Sequence, residues 1–489
     1  MNKKQEKVYI TTPIYYVNDL PHIGHAYTTI VADVLARYYR DKIGNDNVYF
    51  LTGTDEHGAK IYDCAKEQKI STQEFVDKIS LEFQNTWKNL YISNDNFIRT
   101  TSDKHKETVV KILEKLKTIK TPLGNDVLYE SDYEGLYCVG CEKFLNSSDL
   151  VDGVCPYHKN PPQLLKEKNW FFRLSDFLPI IKEKIESDEL EIYPKTRKNE
   201  VLGLIDKQDL PDFSISRSKK SVPWGIDLPW DEDQKCYVWV DALSNYITAL
   251  GYPDEENFKK FWPADIQLMA LDILKFHAIF WPAILLALDL PLPKKLAIHG
   301  FFTINGQKMG KSLGNMINPN ELIEKYGADA TKYLILSQFG FGSESDINAT
   351  EFPAKYNADL VNGLGNLINR VTKMVEDYLD GKIDVNFKEN VIEDVNKKIE
   401  ELNFRDALSK IWQVIQKVNG LIDIKKPWEL SKQEEKKEEL KIELQAIVKS
   451  LYTIAVSLKP FMPQKSEEII SILTAQKIVK PEIPIFPRM

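Results

Sequence analysis

The chain lacks several things. None of its apolar runs approaches the ~20 residues that cross a bilayer as a helix, and the opening residues, MNKKQEKV, hold no hydrophobic segment of a secretory signal. A helical membrane protein is thereby excluded, and a cytoplasmic protein with no membrane partner is expected. Positive charge is not in excess: 64 Lys and Arg stand against 72 Asp and Glu, a net charge of -8. A nucleic-acid partner therefore has to be met by local basic patches rather than by the field of the whole protein. No internal repeat or low-complexity tract interrupts the 489 residues, which suffice for three or four domains. Cysteine is scarce and unevenly placed. Of five, Cys138, Cys141 and Cys155 fall within eighteen residues, and Cys64 and Cys236 stand alone. That clustering suits a metal in a reducing compartment better than a disulfide framework. Histidine is scarce too: six of the seven fall in or beside the motifs below, and only His105 sits in an ordinary polar stretch.

What is present begins at residues 8–25, VYITTPIYYVNDLPHIGH. β-branched and aromatic residues form a strand pattern that Pro13, Asn18, Asp19 and Pro21 break. His22, Gly24 and His25 then open an amphipathic helix through Ile30, Val34 and Tyr38, with Gly44 as its stop. Two imidazoles and a glycine at the positive end of a helix suit a polyphosphate, which the free amides and the dipole attract. Two helix-capping histidines also serve a purely structural end. A second strand, residues 48–52, runs into GTDEHG and a helix from Ala59, and such βα units predict a parallel doubly wound sheet with ligands at the strand carboxyl ends. Asp55 there is equally compatible with a helix N-cap.

Between residues 121 and 225 the character changes to short runs and turns. The pairs Cys138-x-x-Cys141 and Cys155-x-x-His158, thirteen residues apart, place four donors around one tetrahedral ion with no vacancy, a structural Zn2+ that folds the insertion. A redox Cys-x-x-Cys leaves His158 at its spacing unexplained. Further on, the run Cys236-Tyr-Val-Trp-Val240 reads as a strand ending in Asp241, and residues 296–300 as another, followed by a hairpin and Lys308-Met-Gly-Lys-Ser312. Two lysines on a glycine-containing loop can close on a polyphosphate as charge builds up. From Ala354 onward 3.6-residue apolar spacing over residues 356–378, 391–420 and 433–458 predicts an antiparallel helical bundle. Asn366 and Arg370 stand one turn apart, and Pro427-Trp428 follows a helix end. An amide and a guanidinium can read base edges while an indole stacks on an unpaired base, although a lone Trp is more often core.

The His22-x-Gly-His25 and Lys308-x-x-Lys311-Ser312 motifs resemble the two signatures of class I aminoacyl-tRNA synthetases. Pro13, Tyr16, Asn18 and the short Cys/His insertion resemble the methionyl-tRNA synthetase family in particular, over essentially the whole chain. The resemblance implies that His22, His25, Lys308 and Lys311 are catalytic, and that Asn18, Gly24, Asp272, Lys308, Lys311 and Ser312 bind ATP. It implies a methionine pocket of Ile14, Tyr16, Asp55, Trp239, Ala242, Tyr246, Phe276, His277 and Trp281, with Asp55 on the α-ammonium group. Asn366, Arg370 and Trp428 match positions that read the CAU anticodon. Two departures stand out: Ala270-Leu271 replace a Gly-Lys pair before Asp272, and Gly310 replaces the middle serine of the lysine motif.

The expected fold is α/β: a doubly wound parallel Rossmann-type catalytic sheet, split by a small zinc-binding insertion and followed by an all-α helical bundle. The expected boundaries are 1–120 and 226–300 for the two catalytic halves, 121–225 for the insertion, 301–355 for the lysine-loop and stem-contact region, and 356–489 for the anticodon-binding bundle. The expected function is activation of L-methionine with ATP, accompanied by Mg2+, and transfer to the 3' adenosine of tRNA(Met). The chain ends soon after Pro484 without the dimerisation module of some family members, so a monomer is expected. A catalytically idle relative that binds tRNA is the alternative. The reading requires the two imidazoles and two ammonium groups, almost three hundred positions apart, to surround one triphosphate.

Overall fold

The computed structural model describes residues 7–139, 143–145, 150–156, 159–207, 210–304, 306–308 and 315–488. Strand β1 (Val8–Tyr16) leads into helix α1 (Ile23–Ile43), then β2 (Val48–Asp55), helix α2 (Ala59–Gln68), β3 (Asn96–Arg99) and helix α3 (Asp103–Thr118). Three later strands, β4 (Glu191–Tyr193), β5 (Ile266–Ala270) and β6 (Lys295–His299), complete a six-stranded sheet of order β3-β2-β1-β5-β6-β4. Every pairing in it is parallel. Because the order reverses on either side of β1, the sheet is doubly wound, as alternating strand and helix patterns require. The β1–β2 register shifts between Thr11 and Ile14 and resumes with Ile14 opposite Gly53 and Tyr16 opposite Asp55. A Cβ on Gly53 would meet the Ile98 carbonyl oxygen at 2.1 Å, so only glycine lets β2 and β3 approach there.

Contacts divide the chain into two compact units. The first comprises residues 1–21, 43–87 and 93–299. Its continuous core runs from Tyr9 and Leu51 through Leu113, Phe172 and Ile247 to Trp281 and Ile298. Within it lies the insertion, a four-stranded antiparallel sheet whose long ribbon pairs Leu128–Cys138 with Gln163–Phe172. The expected strand at 236–240 is corrected: the strand is Asp231–Cys236, and Val238 begins helix α4 (Val238–Thr248). Ten of the eleven residues of α4 are buried. A helix covered on all sides has apolar residues all round, and its sequence cannot be told from a buried strand by periodicity.

The second unit comprises residues 22–42, 88–92 and 300–489. Strand β7 (Phe302–Ile304) pairs antiparallel with β8 (Gln307–Lys308), giving the expected hairpin, and parallel with Ser345–Ile347. Helix α5 (Ala328–Leu336) follows, and Asp33 of α1 meets Lys332 of α5 at 3.0 Å with both side chains fully buried. The expected helix from Tyr356 is continuous but not uniform. Residues Tyr356–Gly365 form wide π-type turns before α6 (Asn366–Leu379) settles into regular 3.6-residue winding. Helices α7 (Phe404–Lys425), α8 (Pro427–Leu430), α9 (Lys437–Leu458) and α10 (Pro463–Leu473), with the short helix Val395–Glu400, form the expected bundle with an apolar interior. Among the described residues no helix is long and apolar enough to cross a membrane.

Candidate active site

In the second unit the His22 and His25 rings stack, with centroids 3.7 Å apart and planes at 22°. The Gly24 N–H donates to His22 Nδ1 (3.1 Å), and the His22 N–H donates to His25 Nδ1 (3.3 Å). A neutral imidazole that accepts at Nδ1 carries its proton on Nε2. Both histidines therefore cap the start of α1 through Nδ1 and carry the ring proton on Nε2, so the capping role is met and the anion-binding reading is compatible with it. Burial, and then the neighbouring His22, push the His25 pKa well below the ordinary imidazole value, which keeps that ring an uncharged donor.

The described chain on either side of the lysine motif meets the same turn of α1. On the upstream side, Phe302 of β7 packs edge-on against Tyr27 with ring centroids 4.9 Å apart, and Phe339 lies 5.1 Å from the same ring. On the downstream side, the Ile23 N–H, one of the unsatisfied donors at the helix start, donates to the Ile317 carbonyl (3.0 Å). The backbone of Lys308 closes the hairpin. Lys311, Ser312 and Gly310 lie outside the described residues.

In the first unit five of the expected pocket residues make aromatic contacts with one another. Trp239 and Phe276 stack face to face at 3.7 Å and 3°, and Tyr246 lies 5.9 Å from Trp281. Phe276 and His277 sit in a wide π-type turn, residues Phe276–Phe280, immediately before Trp281-Pro282. Pro282 has no N–H for the preceding turn, and such widened turns often accompany sites. Ala242, Tyr246, Phe276, His277 and Trp281 are buried, and Ile14, Tyr16 and Trp239 are half-buried. Asp55 is the last residue of β2, and the N-cap position of α2 belongs to Gly58, so the N-cap reading of Asp55 is set aside. Asn18, with its amide donating to the Tyr16 carbonyl (3.0 Å), accepts from Lys60 Nζ (2.9 Å). Asp272 is exposed in the short turn Leu271–Ile273, directly after the Ala270-Leu271 departure.

A network around the Asp55 loop is absent from the sequence reading. Glu56 is buried, takes two hydrogen bonds from Arg99 (2.7 and 2.9 Å), and accepts from Thr54 (2.7 Å) and Thr101. His57 Nδ1 lies 2.6 Å from one oxygen of buried Asp241, and His105 Nε2 lies 2.7 Å from the other. Burial alone raises a carboxyl pKa, but here the two imidazoles outweigh it and hold Asp241 down to about 2. His105 is thus buried and paired, not part of a solvated stretch. The signal was available in the sequence: His105, Thr108, Val109 and Ile112 fall on one face of α3, and all four are buried.

In the second unit Asn366 is exposed and Arg370 half-buried on α6, and Arg370 pairs with Asp423 (2.8 Å) in the last turn of α7. Trp428 follows on α8 and is half-buried, so it is not a core residue. The ion pair brings Arg370 to the helix end that leads into Trp428. In the insertion, Cys138 and Cys155 lie buried in one cluster with Leu145, and Cys141 and His158 fall outside the described residues. Among the described residues no group of three His, Cys, Asp or Glu side chains is arranged to hold a metal.

A family model described as tRNA synthetases class I (M) matches residues 8–163 and 147–372, and one described as the anticodon-binding domain of tRNA ligase matches residues 385–487. A methionine–tRNA ligase of Listeria innocua is 40% identical over 535 aligned residues, covering 100% of this chain and 79% of its own. One from Clostridium acetobutylicum is 42% identical over 480, covering 95% and 73%. The solved structure of Mycobacterium tuberculosis methionyl-tRNA synthetase in complex with methionyl-adenylate matches with a TM-score of 0.91 at 32% identity, over 99% of this chain and 100% of that one. The chain belongs to the class I tRNA synthetases. Within that class it belongs to the methionine branch, the methionine–tRNA ligases.

Proposed function

We propose that the residues above divide the work of methionine–tRNA ligation as follows. The carboxylate of methionine attacks the α-phosphorus of ATP, an O–P bond forms, and pyrophosphate leaves with the electrons of the bond it breaks. The terminal adenosine hydroxyl of tRNA(Met) then attacks the adenylate carbonyl, and AMP departs. No protein nucleophile is needed, because alignment and charge neutralisation carry such a reaction. His22 and His25 donate through Nε2 to the phosphate oxygens, Lys308 and Lys311 neutralise the triphosphate, and Gly24 and Ser312 lie along it. Asn18 and Asp272 serve the nucleotide. Asp55 holds the α-ammonium group, and Ile14, Tyr16, Trp239, Ala242, Tyr246, Phe276, His277 and Trp281 enclose the thioether, which packs well on aromatic faces. Asn366, Arg370 and Trp428 read the anticodon. The Listeria and Clostridium relatives both bear the ligase name, and the idle tRNA-binding alternative gains nothing from them.

Two buried thiols drawn from the two Cys-containing pairs fit a zinc site, since thiolates are its preferred donors. Cys138, Cys141, Cys155 and His158 would hold the ion, which supplies folding energy and takes no part in the reaction. Magnesium accompanies ATP, bound mainly by its phosphates.

The observation that carries this reading is the stacked pair of tautomer-fixed histidines at a helix start that Phe302 and Ile317, on either side of the lysine motif, both contact. Methionine-dependent ATP–pyrophosphate exchange tests it. His25→Ala is expected to lower exchange by about 100-fold with little change in the KM for methionine, as for the loss of one transition-state donor. Exchange within about threefold of the parent enzyme would withdraw that role. No methionine-dependent exchange by the parent protein itself would favour the idle relative.

A further inference from the structure

The turn that carries Asp55 is held on three sides. β2 ends at Asp55. Glu56 is fixed to Arg99, Thr54 and Thr101, its N–H donates to Thr100 Oγ1 (2.9 Å), and its carbonyl accepts from Trp224 Nε1 (2.7 Å). His57 turns to helix α4 instead, and its hydrogen bond to Asp241 ties this turn to the helix bearing Trp239, Ala242 and Tyr246. A carboxylate only accepts, so the proton at this contact sits on His57 Nδ1. The other oxygen of Asp241 takes the Nε2–H of His105, whose Nδ1 lies 2.7 Å from Thr248 Oγ1 at the far end of α4. His105 therefore braces Asp241 against the last turn of the same helix. All three side chains are buried. Such a network costs desolvation, which the hydrogen bonds among its members must offset.

We propose that Asp241 is a positioning residue for the amino-acid site: by fixing the ring and tautomer of His57, it locks the Asp55 turn to the α4 wall of the pocket. This sets the separation between the ammonium-holding carboxylate and the surface that receives the thioether side chain. The proposal rests on the reading of Asp55 as the holder of the ammonium group. An amide at position 241 has one accepting and one donating end, so one of the two imidazoles must give up its contact or change tautomer.

The test uses the full-length protein and two competitive inhibitors of methionine-dependent exchange. L-methioninol keeps the ammonium group and lacks the carboxylate; 4-(methylthio)butanoate keeps the carboxylate and lacks the ammonium group. Asp241→Asn is expected to weaken methioninol by about tenfold or more and to leave 4-(methylthio)butanoate within about twofold, as for a broken buried charge pair acting on one end of the ligand. His57→Asn, which keeps an N–H donor for Asp241, is expected to retain methioninol affinity, and His57→Leu to reproduce the Asp241→Asn loss. Equal weakening of both inhibitors, or of neither, overturns the proposal. Should Asp241→Asn fail to fold, the two His57 variants decide: equal behaviour of Asn and Leu at that position overturns it. Asp55→Asn separates the two claims, because unchanged methioninol inhibition in that variant removes the reading of Asp55 whatever happens at Asp241.

Discussion

Tyr246 donates its hydroxyl hydrogen to His277 Nε2 across 2.7 Å, because His277 has already committed its Nδ1 proton to the Ile273 carbonyl at 3.0 Å. The direction of the bond follows from the carbonyl, which can only accept. Burial, partly opposed by that carbonyl, pushes the His277 pKa down to about 4. The aromatic cluster consequently holds an uncharged imidazole at neutral pH.

A pH dependence of stability follows. Below pH 6.5 the unfolded chain binds a proton at His277 that the folded chain refuses until about pH 4, so stability is full above 6.5 and falls as pH drops through this window. The loss from pH 7 to pH 5 comes to about 2 kcal/mol for this one group. Asp241, held at about 2, loses its contribution only below the ordinary carboxylate range and does not intrude. His277→Gln is expected to show a smaller fall in the urea unfolding midpoint between pH 7 and pH 5 than the parent. An identical fall in both would mean that His277 is not the group responsible; the lowered His25 remains in both proteins.

The parallel sheet, the helix start at the histidine motif and the helical third were legible because each is local: a strand pattern, a helix start, a 3.6-residue period. What was not legible is what locality cannot encode. Asp241 stood in a run that reads as a strand, and it is tied to histidines 184 and 136 positions away. Its burial comes from packing on every side of α4, which removes the amphipathic signal. The wide turns at Phe276–Phe280 and Tyr356–Gly365 are likewise unannounced, since the sequence of a π-type turn differs little from that of an α-helix. In the second, a Cβ on Gly365 would meet the Leu360 carbonyl at 2.9 Å, so that glycine is a sign of the turn in retrospect.

The buried pair Asp33–Lys332 gives a stability prediction. Lys332→Met leaves the Asp33 carboxylate buried, with Arg37 (2.9 Å) still beside it. The expected cost is about 3 kcal/mol, seen as a lower melting temperature. Asp33→Leu combined with Lys332→Met is expected to recover most of it, because apolar replacements of a buried pair are often neutral. A double variant as unstable as the single one would mean that the charges themselves are required.

Trp428 is expected to separate the two half-reactions. It is half-buried on α8, in the second unit, beyond the helix end that Arg370 reaches through Asp423. Trp428→Ala is expected to leave pyrophosphate exchange within about twofold and to depress tRNA charging by tenfold or more, the scale of one lost base–aromatic stack. Equal loss of both activities would make Trp428 a residue of the fold.

The insertion is tested by metal content. The full-length protein is expected to carry one zinc per chain, and Cys138→Ser or Cys155→Ser to lose it, with faster proteolytic cleavage within residues 128–172. Zinc retained at one per chain in both variants would exclude these two thiols as ligands.

The Ile23–Ile317 hydrogen bond and the Tyr27–Phe302 contact fasten the chain before and after the lysine motif to a single helix. The start of α1 therefore anchors two stretches of chain at once, and a distortion of this one turn would loosen both together.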